Sequence, residues 1–183
     1  MKALIIGSNG YLGSSLVHFL TSKGWELHCL DIGPICRNMS TNYSSIDIIK
    51  EDKFKKVNTT VDYIFHFAAL TGTSRSLDES TQFTSVNELG LLNVLNRMRE
   101  QGSKARLVFP STRLLYKGVK NKPLDEEAKK DFKTIYALNK YFGENAISLY
   151  AKNFSITYSI FRICVPYGSL KNQKQSYGTI GFF

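Results

Sequence analysis

Lys2-Ala-Leu-Ile-Ile-Gly7-Ser-Asn-Gly10-Tyr-Leu-Gly13 is the stretch whose reading decides the fold. Its first half is a short apolar run led by one charge, the pattern of a strand buried on both faces of a parallel sheet. The glycines that follow allow a tight turn, close approach of the backbone to a pyrophosphate, and close packing of the next helix on the sheet. Leu12, Leu16, Val17, Phe19 and Leu20 then give a helix an apolar face, and its N-terminal amides and positive dipole end are free to meet phosphate. Lys23-Gly24 ends that helix. Trp25 to Leu30 reads as the second strand, and Asp31 just beyond it is placed to accept both hydrogen bonds from an adenosine ribose. Strand, glycines, helix, strand and acid in this order predict dinucleotide binding. The carboxylate of Asp31 would repel a 2′-phosphate, so NAD is expected rather than NADP.

At 183 residues the chain is long enough to bury a substantial core as one domain, residues 1–183, without disulfides or metal. Lys plus Arg of 24 against Asp plus Glu of 15 give a net charge of +9, which suits a nucleotide diphosphate and equally RNA or an anionic membrane. The basic residues are scattered rather than clustered, so a solvated surface accounts for them as well. Cys29, Cys36 and Cys164 are odd in number, have no C-x-x-C pair, and read as reduced and structural. His18, His28 and His66 lack metal-ligand spacing, and no metal site is expected. Too few apolar residues follow Met1-Lys2 for a signal peptide, and no run approaches the roughly 18 apolar residues of a spanning helix. A cytoplasmic location and no membrane partner are expected.

Ile32 to Ser45, rich in Gly, Pro, Asn and Ser, reads as a surface loop at the sheet edge that holds ligand in an open parallel fold. Asp47, followed by Ile48, either reaches the adenine or solvates a turn. Val61 to Phe67 reads as the third strand and runs into Ala68-Ala69, small enough for a cofactor to lie against. Gly72 to Asp78 reads as a loop, and Ser80 to Glu100 as a helix with Phe83, Val86, Leu91, Val94, Leu95 and Met98 on or near one side and Asn87 within it. Ala105 to Phe109 is a fourth strand, with the hydroxyls of Ser111 and Thr112 at its carboxyl end, and Gly118 to Lys133 is a lysine-rich exposed loop. Strands alternating with helices and no internal repeat predict an α/β fold: a doubly wound parallel sheet of the Rossmann type in three αβα layers.

Thr134 to Ile147 carries the chemistry. Tyr136 and Lys140 are i, i+4 on a helix and share a face. A free tyrosine, with a pKa of ~10, is a poor base at neutral pH, but a nearby lysine ammonium favours the phenolate. Thr112 is placed to hydrogen-bond the same substrate oxygen, completing a site that moves a proton while a nicotinamide carries the hydride. Taken alone, Tyr136 and Lys140 would read as a helix-surface pair; downstream of a dinucleotide turn they read as catalytic.

These stretches together resemble the extended short-chain dehydrogenase/reductase family, in its branch of NAD-dependent nucleotide-sugar epimerases, dehydratases and reductases. The resemblance covers Lys2 to Gly168. Gly7, Gly10 and Gly13 match the family's G-x-x-G-x-x-G, and Asp31 and Asp47 its ribose- and adenine-contacting acids. His66-Phe-Ala-Ala69 resembles H-x-A-A, Asn87 to Leu95 resembles N-x-x-G-x-x-N-V-L, and Ser111 to Tyr116 resembles S-S-x-x-V-Y. The resemblance implies catalytic roles for Thr112, Tyr136 and Lys140. It implies a cofactor site of Gly7, Asn9, Gly10, Tyr11, Leu12, Gly13, Asp31, Asp47, Ile48, Phe67, Ala68, Ala69 and Asn87, with Tyr136 and Lys140. It also implies a nucleotide-diphosphate sugar as substrate, a homodimer through the helices around Asn87 and Tyr136, and either 4-epimerisation or reduction of a 4-keto sugar.

Lys117 separates Tyr116 from Gly118 where relatives have none, and Val165 stands where they carry a substrate-contacting asparagine, which tilts the reading toward 4-keto reduction. Arg113 and Leu114 stand where dehydratase relatives carry an aspartate and a glutamate, so 4,6-dehydration is not expected. Relatives continue into a smaller substrate domain, and the chain reads as a fragment largely without it. A different class of function is a cofactor-binding module without turnover, either a redox-sensing regulator or an RNA-associated relative. The intact Thr112, Tyr136 and Lys140 favour the enzyme, with nucleic acid not expected as a partner.

Overall fold

The computed structural model describes residues 1–37, 42–169 and 176–177. Its centre is a six-stranded parallel sheet in the order β3-β2-β1-β4-β5-β6. The strands are β1 (Lys2–Ile6), β2 (Glu26–Asp31), β3 (Tyr43–Ser45), β4 (Tyr63–His66), β5 (Arg106–Thr112) and β6 (Tyr158–Ile163). From β1 the chain steps outward to β2 and β3, then crosses back to β4 on the other side of β1. The carboxyl ends of β1 and β4 therefore flank the topological switch point, where such sheets bind ligand.

Helix α1 (Tyr11–Ser22) lies on one face, and α5 (Gly90–Glu100) and α6 (Ile135–Phe154) lie on the other. The alternation of β1 explains the division: Ala3 and Ile5 pack with Val17 and Leu20 of α1, while Leu4 and Ile6 join Leu91, Leu95, Met98 and Ile147 from the opposite helices. Leu4, Ile5 and Ile6 are all fully buried. Burial of each such side chain stabilises by about 1.5–3 kcal/mol, so this strand is sealed between layers as its continuous apolar run requires. The expected doubly wound three-layer arrangement is the one observed.

Local structure departs from the sequence reading where backbone pairing or tertiary contact overrides side-chain pattern. The Ile32 to Ser45 loop contains β3, a short edge strand with no apolar period, held by pairing of Cys29 with Tyr43. Asn38 and Ser40 of that loop, and Gly178 to Phe183, lie outside the described residues. The Gly72 to Asp78 loop contains helix α3 (Arg75–Asp78), after the single turn α2 (Glu51–Phe54). The expected helix from Ser80 to Glu100 is interrupted: α4 (Ser80–Thr84) passes into a π-helical turn over Ser85–Leu89 before α5 begins. Strand β5 runs on to Thr112, and α6 continues beyond Ile147 to Phe154. Phe19, expected on the apolar face of α1, is 55% exposed, and Cys164, expected to be structural, is also exposed. Beyond β6 a two-stranded antiparallel pair joins β7 (Gly168–Ser169) to β8 (Ser176–Tyr177).

Candidate active site

The glycine turn joins β1 to α1 at the switch point. Gly7 has φ +87°, and a Cβ there would stand 2.4 Å from the Ala68 amide nitrogen; one on Gly13 would stand 2.1 Å from the Gly7 carbonyl oxygen. Neither position accepts a side chain. Gly10 is different: it is exposed, a Cβ on it would meet only the Gly7 carbonyl oxygen at 3.3 Å, and it precedes α1 without any side-chain cap. The first turn of α1, with half-buried Tyr11 and Leu12, thus presents uncapped amides beside a surface kept low by glycine, which fits a dinucleotide pyrophosphate.

Asp31 ends β2 against this turn, where its Oδ2 accepts the Asn9 amide at 2.8 Å. The Asn9 side chain faces away from the crevice. Its Nδ2 donates to the Ile35 carbonyl at 3.0 Å and its Oδ1 accepts the Arg37 amide at 2.8 Å, latching the loop after β2 to the turn. Both the backbone amide and the side chain of Asn9 are thus committed within the protein. Asp47 folds onto its own turn, accepting the Ile49 amide at 3.2 Å. The Ile48 side chain is buried against Gly90, where a Cβ would lie 2.5 Å from Ile48 Cδ1, and its carbonyl accepts Asn93 Nδ2 at 2.8 Å.

Phe67, Ala68 and Ala69 are half-buried at the end of β4, with the Phe67 and Ala68 amides both donating to the Ile6 carbonyl. Asn87 sits in the π-helical turn with its amide committed, since Oδ1 accepts the Leu70 amide at 2.8 Å and Nδ2 donates to the Leu70 carbonyl at 3.0 Å. It clamps the backbone just after Ala69. Such π turns frequently mark functional sites, and here the extra residue turns Asn87 inward.

Thr112 ends β5, and Lys140 of α6 packs on Phe109 of the same strand, one helical turn from Tyr136. Thr112 is buried and its Oγ1 accepts the Leu114 amide at 3.2 Å, which leaves its proton to donate elsewhere. Thr134 caps α6 by accepting the Ala137 amide at 3.1 Å, setting Tyr136 and Lys140 in the helix on one side. Tyr136 is half-buried, whereas Lys140 is only 4% exposed. Lys140 Nζ stands 5.9 Å from the centre of the Tyr136 ring and 4.6 Å from that of Phe109. Burial pushes Lys140 down from 10.5 to about 7. His66, fully buried beside it, is held down to about 3 by burial and then by the charge of Lys140, so it is neutral.

One turn beyond Lys140, Glu144 makes a bidentate pair with Arg162 of β6 at 2.9 and 2.7 Å. Burial pushes the Glu144 carboxyl up, but the Arg162 guanidinium outweighs it and leaves the group below its usual range. Arg162 also bonds the Tyr116 hydroxyl and the Glu126 carbonyl, tying α6, β6 and the long loop together. Sequence reading missed this crosslink, although Glu144 lies i+4 from Lys140 and so on its helix face. A cavity of about 960 Å³ opens beside Thr134, lined by Arg113, Leu114, Tyr116, Arg162 and Cys164 among others. The two residues after Thr112, Arg113 and Leu114, line it without an acid between them, and its carboxylates come instead from Asp125, Glu126, Asp131 and Glu144. Val165, at the position of the expected asparagine, is 42% exposed. Among the described residues no three His, Cys, Asp or Glu side chains are grouped to hold a metal, and no helix is long and apolar enough to cross a membrane.

Residues 3–180 match the NAD dependent epimerase/dehydratase family. A Methanocaldococcus jannaschii protein provisionally named UDP-glucose 4-epimerase is 29% identical over 186 residues, covering 98% of this chain and 61% of that protein. The CDP-paratose 2-epimerase of Salmonella typhi is 25% identical, covering 100% of this chain and 62% of its own. Among solved structures, the UDP-glucose 4-epimerase of Thermus thermophilus complexed with NAD superposes with a TM-score of 0.81 at 25% identity, over 88% of this chain and 54% of that one. The chain thus spans less than two thirds of the length of each of these relatives.

Proposed function

This chain belongs to the NAD dependent epimerase/dehydratase family, and from that premise we propose that it is the cofactor-binding and catalytic part of an NAD-dependent 4-epimerase of nucleotide-diphosphate sugars. The observation that supports the proposal is the buried Lys140 one helical turn from Tyr136 on α6, packed on Phe109 of β5, the strand that ends at Thr112, in the sheet whose β1 leads into the uncapped glycine turn. The named epimerase activities of the relatives support epimerisation over 4-keto reduction, and they do not favour a module without turnover. Homodimerisation through the helices around Asn87 and Tyr136 belongs to the same proposal, with Leu89 of the π-helical turn and Leu138 and Leu149 of α6 exposed.

The amides at the start of α1 and Asp31 would hold NAD, which when bound would supply the hydride acceptor and, once reduced, the donor at the sugar carbon. Tyr136 takes the proton of the reacting hydroxyl and returns it. Thr112, whose oxygen is already occupied by the Leu114 amide, donates its proton to the same substrate oxygen and holds it in line with Tyr136. Lys140, when protonated, favours the phenolate form of Tyr136 and would help hold a bound cofactor's nicotinamide ribose. Asn87 fixes the Leu70 backbone, directly after Ala68 and Ala69, against which the cofactor would lie.

The test is to incubate the protein with NAD and a panel of nucleotide sugars, following inversion at the sugar by NMR. Interconversion of 4-epimers is expected, and Tyr136→Phe should abolish it while leaving NAD affinity within about twofold, because the hydroxyl serves the transition state rather than binding. Turnover retained in Tyr136→Phe would return the residue to the helix surface. Release of a 4-keto-6-deoxy sugar would refute the absence of dehydration inferred from Arg113 and Leu114.

A further inference from the structure

Lys140 is a buried cation without a carboxylate partner: among the described residues no ion pair within 4.0 Å includes it. Charged groups rarely stay inside without compensation. The carboxylates and the imidazole around it do not supply that compensation. Glu144 on its own helix is bound bidentately by Arg162, Glu88 of the π-helical turn accepts Asn139 at 2.6 Å, and His66 of β4 is neutral. Tyr136 presents its ring at 5.9 Å. What lies under the amine is the face of Phe109, with Nζ 4.6 Å from the ring centre, inside the range at which a π face attracts a cation.

The ring is locked from several sides. His66, on the adjacent strand, stacks on it with centres 6.1 Å apart and planes 12° from parallel. Gly143 in the turn of α6 after Lys140 leaves room for it, since a Cβ there would lie 2.6 Å from Phe109 Cζ and 3.1 Å from Leu91 Cδ2. Phe109 itself is 2% exposed. A glycine within α6 costs helix stability, of order 1 kcal/mol against alanine, and the ring explains why it stands there.

We propose that Phe109 is a positioning residue for Lys140: its ring face takes the place of a counter-ion and fixes where the amine sits, and how readily it is charged, beneath Tyr136. The proposal rests on the Tyr136–Lys140 reading of the reaction, and the experiment separates the two. Because the ring favours the ammonium over the free amine, weakening its π face lowers the pH at which Lys140 loses its proton.

Phe109 is replaced with mono-, di- and trifluorophenylalanine, which preserve ring shape while draining the π face, and Lys140 is titrated by NMR of protein carrying 13Cε-lysine. The Lys140 midpoint should fall stepwise with fluorine count, by about 0.5–1 pH unit over the series, and the pH profile of turnover should move with it. Phe109→Leu, with a comparable apolar volume and no π face, should fall at the end of the series. A midpoint unchanged across folded variants overturns the proposal, as does a midpoint that falls while the pH profile stays still. Turnover surviving in Tyr136→Phe would instead overturn the catalytic reading, and the NMR titration would still report on the ring.

Discussion

Replacing Lys140 by methionine should abolish turnover and stabilise the fold. Methionine has a similar length and no charge, so it keeps the packing under Tyr136 while removing the one group that burial penalises. The folded-state value of Lys140 is about 7 against 10.5 for the free side chain. Both states are protonated below about pH 7, and the folded state then carries the full cost. Between about 7 and 10.5 the unfolded chain binds the proton and the folded chain does not, so stability rises with pH across that window.

At ~1.36 kcal/mol per pH unit, the lysine costs the fold about 4 kcal/mol at pH 7 and about 2 kcal/mol at pH 9. Contact with Phe109 offsets about 1 kcal/mol of this, and imperfect repacking of methionine removes up to about 1.5 more. The Lys140→Met protein should therefore be about 1.5–3 kcal/mol more stable at pH 7, or about 3–12 °C in Tm by the rough ~2–4 °C per kcal/mol for a chain of this size. The advantage should shrink by about half at pH 9. Thermal and urea unfolding followed by circular dichroism, with both proteins at each pH, isolates the titration of Lys140, because groups not coupled to it cancel in the difference and neutral His66 stays neutral across this window. A methionine variant no more stable than the parent, with a difference independent of pH, would refute the reasoning and mean that Lys140 is well solvated or well paired in the folded chain.

Titration with both cofactors should show NAD bound more tightly than NADP, and Asp31→Ala should weaken NAD about tenfold while narrowing the preference, since the carboxylate also holds the Asn9 amide; equal affinities in the parent protein would contradict the role of Asp31. Gly13→Ala should abolish NAD binding and destabilise the fold by several kcal/mol, because the new Cβ would meet the Gly7 carbonyl at 2.1 Å and only backbone could yield, as calorimetry in the presence and absence of NAD would register.

The glycine turn, Asp31, and the Tyr136–Lys140 spacing were legible in the chain because each depends on local geometry: a turn needing positive φ, an acid at a strand end, a helix that repeats every four residues. The apolar runs of β1 and β4 likewise announce a sheet covered on both sides. Other features carry no such local mark. Strand β3 exists because β2 offers a free edge, and its own Tyr-Ser-Ser would form nothing alone. The π-helical turn appears within a segment whose apolar pattern reads as one helix, and it commits Asn87 to the Leu70 backbone, a contact between residues 17 apart.

The burial of Lys140 lies deepest in this second class. The spacing of Tyr136 and Lys140 is a property of one helix, whereas what surrounds the amine depends on the register of β4 against β5, which sets His66 beside Phe109, and on the glycine that lets α6 settle onto the ring. Sequence determines which residues share a face, because backbone periodicity is intrinsic. It does not determine whether that face meets water, a carboxylate or an aromatic ring, because desolvation and charge are sums over neighbours that only the packed layers bring together.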